Sequence, residues 1–519
     1  MSNKKKNRDN KKYVQKAIQV TNPVLQSVLA ATGSGPKETL NIAVWGATPY
    51  VITGFGIVMK ELLKGLYKTF PGVYNIFQTA INFHGDFFEE NEITGGPQNG
   101  RFRQWPAKVL FPNGQINLYG QTKFLEMLKT LQDVDLDAVF LFEDPFCVGG
   151  GTPGAQQEVA FLQAVKQELA RLGKGIVPVV AYFPIDGIPK PQWIDTISKF
   201  VEIPITYLPF AHQSCVKVNP QIGQRLRVIP HGVNTKDFFP IPQNELRAFK
   251  RAMFGDASVD KFMLLNVNRN QIRKLIPANL IAFKEFKKIV PDSFIYLNMQ
   301  PVDVGWNLIE VCNSLDLKIG VDVFFPPDFN VQKGLSVSDL NKVFNCADVL
   351  TSTATGGGWE LSVSQAFATK TSVLMPNNTS HTDLCGDQSD IQKQRGLLYN
   401  SGSKLAQITI FPGDNEVPRP LPDLDDMVSK LVFMHQNPAF CRKIEDNAFS
   451  WAHSALSWEK NIVPQFHKAF LDAKSIKQSR LNQIQQQQAP VAAPVEAPKT
   501  GALQKALEAL KEKAQPDAS

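Results

Sequence analysis

Short apolar runs alternate with amphipathic stretches along this chain, and their order predicts its architecture. "TLNIAVWGATPY", beginning at Thr39, is a β-branched and apolar run that ends in a Gly/Thr/Pro turn. In the following "TGFGIVMKELLKGLYKTF", Ile57, Leu62, Leu63, Leu66 and Tyr67 recur at helical spacing. Strand, glycine turn and helix in that order open an α/β unit. "LDAVFLFEDPF", "GIVPVVAYFPIDG" and "IPITYLPF" read as buried parallel strands, with amphipathic "TKFLEMLKTLQ" and "EVAFLQAVKQELARLG" among them. A second series follows the turn-rich "LRVIPHGVNTKDFFPIP". Its strand candidates are "KFMLLNVNR", "DSFIYLNMQ", "VDVFFPP", "ADVLTSTAT" and "KTSVLMPN", separated by helices such as "ANLIAFKEFKKIV" and "LSVSDLNKVFN".

The pattern therefore predicts two α/β domains, each a doubly wound parallel sheet, and 519 residues are enough for two cores. The expected units are a basic, mostly disordered arm at 1–38, a Rossmann-like domain at 39–225 and a second at 226–445. Helices at 446–475 are expected to pack back towards the N-terminal domain. A Gln/Ala/Pro-rich linker at 476–500 and a short amphipathic helix at 501–519 complete the chain. Leu503, Leu507 and Leu510 share a face of that helix, as in a segment over 501–515 that docks on a protein partner or self-associates; a frayed tail is the alternative. Ligands of such sheets bind outside the strand carboxyl ends, so the facing domains define a cleft.

Composition narrows the class. A content of 43% hydrophobic and 20% charged residues is that of a globular protein. The formal charge of +7 is concentrated in residues 1–19, where seven Lys and Arg face only Asp9. That leaves the remaining 500 residues at +1, so an affinity for nucleic acid or an anionic surface would reside in the arm. The six cysteines are scattered without a C-x-x-C pair and read as reduced thiols. No apolar run approaches the about 20 residues of a membrane helix, and the N-terminus lacks a signal-peptide core, which predicts a cytoplasmic chain.

The candidate chemistry lies in three places. "TGGGWELSVSQAFATKTSVLMPN" places Gly356, Gly357 and Gly358 ahead of a helix expected to start near Glu360 or Leu361. The first turn of a helix leaves N–H donors unpaired at its positive end, and glycines in front would let a phosphate reach them. "NVNRNQIRKLIPANL" places Arg269 and Lys274 after a strand, with Arg273 between them; a fixed fork of donors and a compact charge suit a diphosphate. Carboxylates follow two N-terminal strands, Glu143 and Asp144 in "LFEDPF" and Asp186 in "FPIDG", where Asp186 is also a natural turn-former. His231 in "PHGVN" and His84 in "INFHGD" fit either a turn or a cleft. No His spacing supports a metal site, and no G-x-x-x-x-G-K-[ST] occurs.

The order of "VIPHGVNTKDFFP", Arg269 with Lys274, and "ADVLTSTATGGGWELSVSQAFATKTSVLMPN" resembles the retaining family-4 glycosyltransferases of the GT-B fold, over roughly residues 40–470. The resemblance implies that Arg269 and Lys274 hold the diphosphate of a nucleotide-sugar. It implies that Gly54, Phe55 and Gly56 of "TGFG" form the glycine-rich loop beside phosphates and acceptor. Gly358, Trp359, Glu360, Leu361 and Gln365 then line the donor site. The family signature carries two glutamates, one for the donor sugar and one for the ribose; Gly357 and Gln365 occupy those positions here. Gln365 keeps a hydrogen-bond acceptor, and Glu360 is the carboxylate able to replace the first glutamate. No histidine follows the N-terminal strands at the position where many members carry one, and Asp186 is the polar candidate there.

What the resemblance implies is a metal-independent, retaining hexosyltransferase with no cofactor beyond its nucleotide-diphosphate-sugar donor. The acceptor hydroxyl would be glycan, protein-linked or lipid-linked. Two alternatives remain open at this point. One is sugar transfer to a hydroxymethyl-pyrimidine base of DNA, as in viral enzymes. The other is a non-catalytic nucleotide-sugar-binding or scaffold protein with a degenerate donor motif.

Overall fold

The computed structural model describes residues 39–110, 116–117, 119–150, 160–327, 334–488 and 501–512. The basic arm at 1–38 and residues 489–500 of the expected linker lie outside them.

The first sheet contains β1 (Leu40–Ala47), β2 (Tyr74–Ile81), β3 (Phe88–Glu90), β4 (Gly100–Pro106), β7 (Ala138–Phe142), β8 (Val179–Phe183), β9 (Ile203–Thr206) and β10 (Arg227–Val228); β5 (Val109–Leu110) and β6 (Ile116–Asn117) make a separate hairpin. The strand order is β10-β9-β8-β7-β1-β2-β4-β3, parallel except for β3 against β4. Side chains alternate between two cores with a period of two. Ile42, Val44, Phe140, Phe142, Val180 and Tyr182 enter one, and Ala43, Trp45, Val139, Leu141, Val179 and Ala181 enter the other. Burial on both faces explains why these strands read as unbroken apolar runs. Helix α1 (Gly54–Thr69) starts where the Thr53 side chain accepts the Gly56 N–H at 3.2 Å.

The second sheet contains β11 (Phe262–Asn266), β12 (Ser293–Leu297), β13 (Val323–Phe324), β14 (Val349–Thr351), β15 (Ser372–Pro376) and β16 (Leu397–Tyr399). Its order is β13-β12-β11-β14-β15-β16, with every pairing parallel. Leu264, Ile295, Val349 and Leu374 pack under α2 (Ile276–Ile289), and Met263, Leu265, Leu350 and Val373 share the opposite core with Val363 and Phe367 of α3 (Leu361–Thr369). A small hairpin, β17 (Ile408–Thr409) and β18 (Arg419–Pro420), leaves this domain and reaches the first, where Glu416 meets Lys190 at 3.1 Å.

Helix α4 (Val463–Gln488) crosses back to the first sheet. Phe466 sets its ring against Tyr182 (4.9 Å between centroids) and Phe140 (6.1 Å). The helix continues through 476–488, where a linker was expected. Lys477 pairs with Asp135 at 2.6 Å and Arg480 with Glu202 at 2.7 Å, so the edge of the first domain holds the added turns. Glutamine is also a good helix former, and its polarity alone does not end a helix. The final segment forms α5 (Gly501–Glu512), with Leu507 and Leu510 exposed. Among the described residues no helix is long and apolar enough to cross a membrane. The six cysteines form no disulfide.

Because Phe466 is fully buried between α4 and β7–β8, Phe466→Ala is expected to destabilise the protein by about 3–5 kcal/mol. Urea unfolding measures this. A loss below about 1 kcal/mol would show that α4 does not contribute to the core.

Candidate functional site

Strand order places the site. In the first sheet the chain runs from β1 outwards to β2 and β4, then returns on the other side of β1 to β7, β8 and β9. The reversal falls between β1 and β7, where the loop into Gly54 and the Glu143–Asp144 pair emerge. In the second sheet the reversal falls between β11 and β14, where the Arg269–Lys274 loop and the glycine run emerge. Such switch points open crevices at the carboxyl ends of the strands, which is where open α/β sheets take ligands. Every candidate group from the N-terminal domain follows a strand on this edge, His231 coming just after β10, and both C-terminal segments do so too.

The two C-terminal loops are tied together. Thr355 donates its N–H (2.9 Å) and hydroxyl (3.0 Å) to the Arg273 carbonyl, and the Thr353 hydroxyl donates to the carbonyls of Lys274 and Leu275. Leu275 (φ 46°) and Glu360 (φ 70°) both adopt the left-handed conformation that non-glycine residues avoid. Glu360 precedes α3 directly, and its carboxylate turns back onto Lys274.

Each glycine of the run has its own reason, and none is simple clearance for a phosphate. A Cβ on Gly356 would overlap the Asp186 carbonyl, and one on Gly358 would overlap Pro184, so both allow the 184–186 loop of the other domain to approach. A Cβ on Gly357 would overlap the Glu360 carboxylate. Glu360 thus fills the side-chain space of the position where the family signature has glutamate. The Gly357 N–H donates to the Thr379 hydroxyl at 3.1 Å.

A charge cluster crosses the cleft here. Arg419, with no exposed surface, donates to the Asp186 carbonyl and carboxylate (3.2 Å) and to Asp414 (2.8 Å). Arg273 lies 3.7 Å from Asp186. Burial opposes ionisation of Asp186, but Arg419 and Arg273 outweigh it and hold the carboxyl below its usual range. Burial likewise opposes the Glu360 charge, and Lys274 outweighs it. Lys274 is pulled down by burial against the attraction of Glu360. At Asp144 the same two arginines do not outweigh burial, which with Asp186 nearby pushes it up to about 7. Burial also raises its neighbour Glu143. Perturbed carboxyls in a cleft are characteristic of functional sites.

The expected residues separate into groups. Lys274, Glu360, Asp186 and the glycines come together. Arg269 is displaced outwards and pairs with Asp303 at 2.7 Å, half-exposed; Arg273 is the arginine that enters the cluster. Gly54 faces Leu361 of the other domain, 3.9 Å from where its Cβ would be, which places "TGFG" opposite the start of α3. Gly56 is pressed against the Val51 and Thr48 carbonyls, and Phe55 packs on Phe142 at 5.0 Å, so these two hold the loop and leave Gly54 at its surface. Trp359 turns inwards, 3% exposed, with its indole N–H on Ser364, and offers the cleft only backbone. Gln365 is half-buried, and among the described residues its side chain makes no hydrogen bond. His231 is buried beside Tyr207 and Trp359 with its ring on the Tyr182 hydroxyl (2.7 Å), while His84 is exposed.

Arg419, Asp414, Thr379 and His381 join the site without a sequence signal. Three buried polar atoms beside the glycine run lack a hydrogen-bond partner among the described residues: the Tyr207 hydroxyl, the Ser380 hydroxyl and His381 Nε2. Tyr207 touches the Gly358 position, the Ser380 N–H reaches the Gly357 carbonyl, and His381 Nε2 is 3.9 Å from Glu360. Burial pushes His381 down to about 4, so its ring is neutral at pH 7. Buried polar groups are rarely left unpaired, and three around one loop mark a place built for a polar ligand.

Two doubly wound sheets whose switch points share a cleft, with a C-terminal helix returning to the first domain, form the GT-B glycosyltransferase fold. Solved structures bear this out. Sucrose-phosphate synthase from Thermosynechococcus elongatus superposes with a TM-score of 0.60 at 15% identity, covering 84% of this chain and 99% of its own. HepE from Anabaena, in complex with UDP and glucose, gives 0.56 at 11% identity, covering 83% and 100%. The trehalose 6-phosphate synthase of Burkholderia multivorans gives 0.56 at 12%, covering 86% and 98%. No protein-family model matches the sequence, and no curated protein matches it significantly. At these identities the likeness establishes the fold.

Two outcomes test this geometry. Gly357→Ala is expected to force Glu360 off Lys274 and cost about 3 kcal/mol or more in urea unfolding, whereas Gly54→Ala, whose Cβ would meet only Leu361 at ordinary contact distance, stays within about 1 kcal/mol of wild type. Equal stabilities would remove Glu360 from the space beside Gly357. Asp144 binds its proton more tightly when folded, so its contribution is fully present below the ordinary carboxylate range and is lost as pH rises through about 7. Relative to wild type, Asp144→Asn should therefore gain stability over that window, measured as the midpoint difference against pH; a flat difference contradicts the raised value.

Proposed function

We propose that the protein is a glycosyltransferase that moves a sugar from a nucleotide-diphosphate-sugar to an acceptor hydroxyl, with retention of configuration. The observation that carries this is the meeting of Lys274, Glu360 and the glycine run at the switch point of the C-terminal sheet, opposite "TGFG". HepE, of the same fold, is described with UDP and glucose and with UDP-glucose, which supports a donor of that chemistry. Retention and membership of family 4 rest on the motif resemblance.

The chemistry follows from charge. Breaking the glycosidic bond leaves a nucleoside diphosphate, and the charge growing on its phosphate is the main quantity to stabilise. Lys274, Arg273 and the α3 start are fixed before reaction, so they stabilise that charge without reorganising. Arg269 joins them by leaving Asp303. These groups take the place of a divalent metal. Asp186 and Glu360 pair with the same cations, and the donor phosphates replace part of that contact. Glu360 then faces the sugar hydroxyls, Gln365 the ribose, and Asp186 the acceptor side. A donor phosphate oxygen takes the acceptor proton. Closure of the domains limits donor hydrolysis by water.

A second reading has one observation in its favour. Asp186, Glu360 and Asp414 already neutralise Arg273, Lys274 and Arg419, as in a binding protein that holds nucleotide-sugar without turnover.

Incubation with a panel of nucleotide-sugars, with and without acceptors, separates the two. Transferase activity releases nucleoside diphosphate, and Lys274→Ala or Arg269→Ala lowers that release about 10²–10³-fold. A chelator leaves it unchanged. Glu360→Gln slows sugar transfer; an unaffected rate removes Glu360 from donor recognition. Saturable donor binding without release supports the binding-protein reading.

A further inference from the structure

Arg419 sits in a slot that two glycines, one from each domain, leave open. A Cβ on Gly356 would come within 2.8 Å of its guanidinium and one on Gly187 within 3.2 Å. Neither glycine has a positive φ, so the bare positions supply room rather than conformational freedom. The hairpin β17–β18 carries the side chain into this slot. Two further contacts seat the hairpin on the first domain: Glu416 on Lys190 at 3.1 Å, and the buried Val417 against Gly187. Asp414, in the turn of the same hairpin, takes the Arg419 Nε–H at 2.8 Å, which aims the two terminal nitrogens at Asp186. A planar fork bonded through three nitrogens is fixed in orientation as well as in charge.

Asp186 is shared between two arginines of different character. Arg419 donates to its carbonyl and, at 3.2 Å, to its carboxylate, and has no exposed surface. Arg273 stands 3.7 Å from the same carboxylate with 29% of its side chain exposed. Of the two, only Arg273 is open to a ligand arriving in the cleft, and its carbonyl is tied to Thr355 of the glycine-run segment. Burial opposes the Asp186 charge, and of the two arginines that outweigh it Arg419 contributes more. A buried carboxylate deprived of its main partner turns to the next cation within reach, which here is Arg273.

We propose that Arg419 is a positioning residue for the donor site: it engages Asp186 and thereby leaves Arg273 to the diphosphate. The proposal rests on the donor site of the glycosyltransferase reading above. Arg419 itself touches no ligand and acts through Asp186. Its removal hands the whole Asp186 charge to Arg273, which then competes with the phosphates for that cation. Removal of the Asp186 charge as well lifts the competition. A mere tie between the domains behaves differently, because Asp186→Asn then weakens binding just as loss of Arg419 does.

The test is isothermal titration calorimetry of UDP, with GDP and ADP alongside, on the full chain. Arg419→Gln is expected to weaken nucleoside-diphosphate binding about tenfold or more, and the double variant Arg419→Gln/Asp186→Asn to return within about twofold of wild type. Asp186→Asn alone binds at least as tightly as wild type. A circular-dichroism melt checks folding. Where Arg419→Gln does not fold, Arg419→Lys, which keeps the charge without the fork, takes its place with the same sign of effect. The proposal is overturned if the Arg419 variant binds as wild type does, if Asp186→Asn weakens binding, if the double variant stays weak, or if no nucleoside diphosphate binds. The predicted coupling in a protein that releases no nucleoside diphosphate from any sugar donor would leave the role of Arg419 standing and fail the transferase reading alone. Release without the coupling would fail the role of Arg419 alone.

Discussion

The cleft depends on one constraint, the neutralisation of buried cations brought together by two domains. Arg419, Arg273 and Lys274 all belong to the C-terminal domain, and leaving any of them buried without a counter-charge would cost several kcal/mol. Asp414 and Glu360 answer two of them from within the domain, and Asp186 answers Arg419 and Arg273 from across the cleft. The domain contact is therefore partly an electrostatic one. Its strength depends on which anion occupies the cations.

That constraint gives the glycine run its meaning. Gly356 and Gly358 lack side chains so that Pro184 and Asp186 can come close enough to reach Arg419, and Gly357 lacks one so that Glu360 can turn back onto Lys274. The strained backbone at Glu360 is maintained by the same ion pair. Sheet topology, close approach and charge pairing thus converge on a few ångströms at one end of α3. The orphaned Tyr207, Ser380 and His381 atoms border the same place and add to the domain contact the unpaired polar groups that a ligand would satisfy.

Much of the fold was legible because buried parallel strands carry their own signal. "VFLF" and "VVAYF" are apolar at every position, since both faces of their sheet are covered. Strand β4, "GRFRQWP", does not announce itself, because it sits near the sheet edge with Arg101 exposed and Arg103 half-buried. The end of α4 was obscured by glutamines that look like a linker until Lys477 and Arg480 are seen to dock. In the site, Lys274, the glycines and Glu360 were readable from spacing and from the family pattern. Arg419 was not: it lies over a hundred residues beyond Lys274 in a short hairpin, and only the folded chain places it on Asp186. For the same reason spacing singled out Arg269, whereas packing selected Arg273 for the cluster.

In the proposed function, the cations held by Glu360 and Asp186 are the binding place of a donor's diphosphate. A crystal structure with bound UDP tests it most directly. Phosphate oxygens are expected within hydrogen-bond reach of Lys274 and the N-terminus of α3, with Glu360 or Asp186 moved off the cations. A nucleotide bound elsewhere, with the Lys274–Glu360 and Arg273–Asp186 contacts intact, would contradict it.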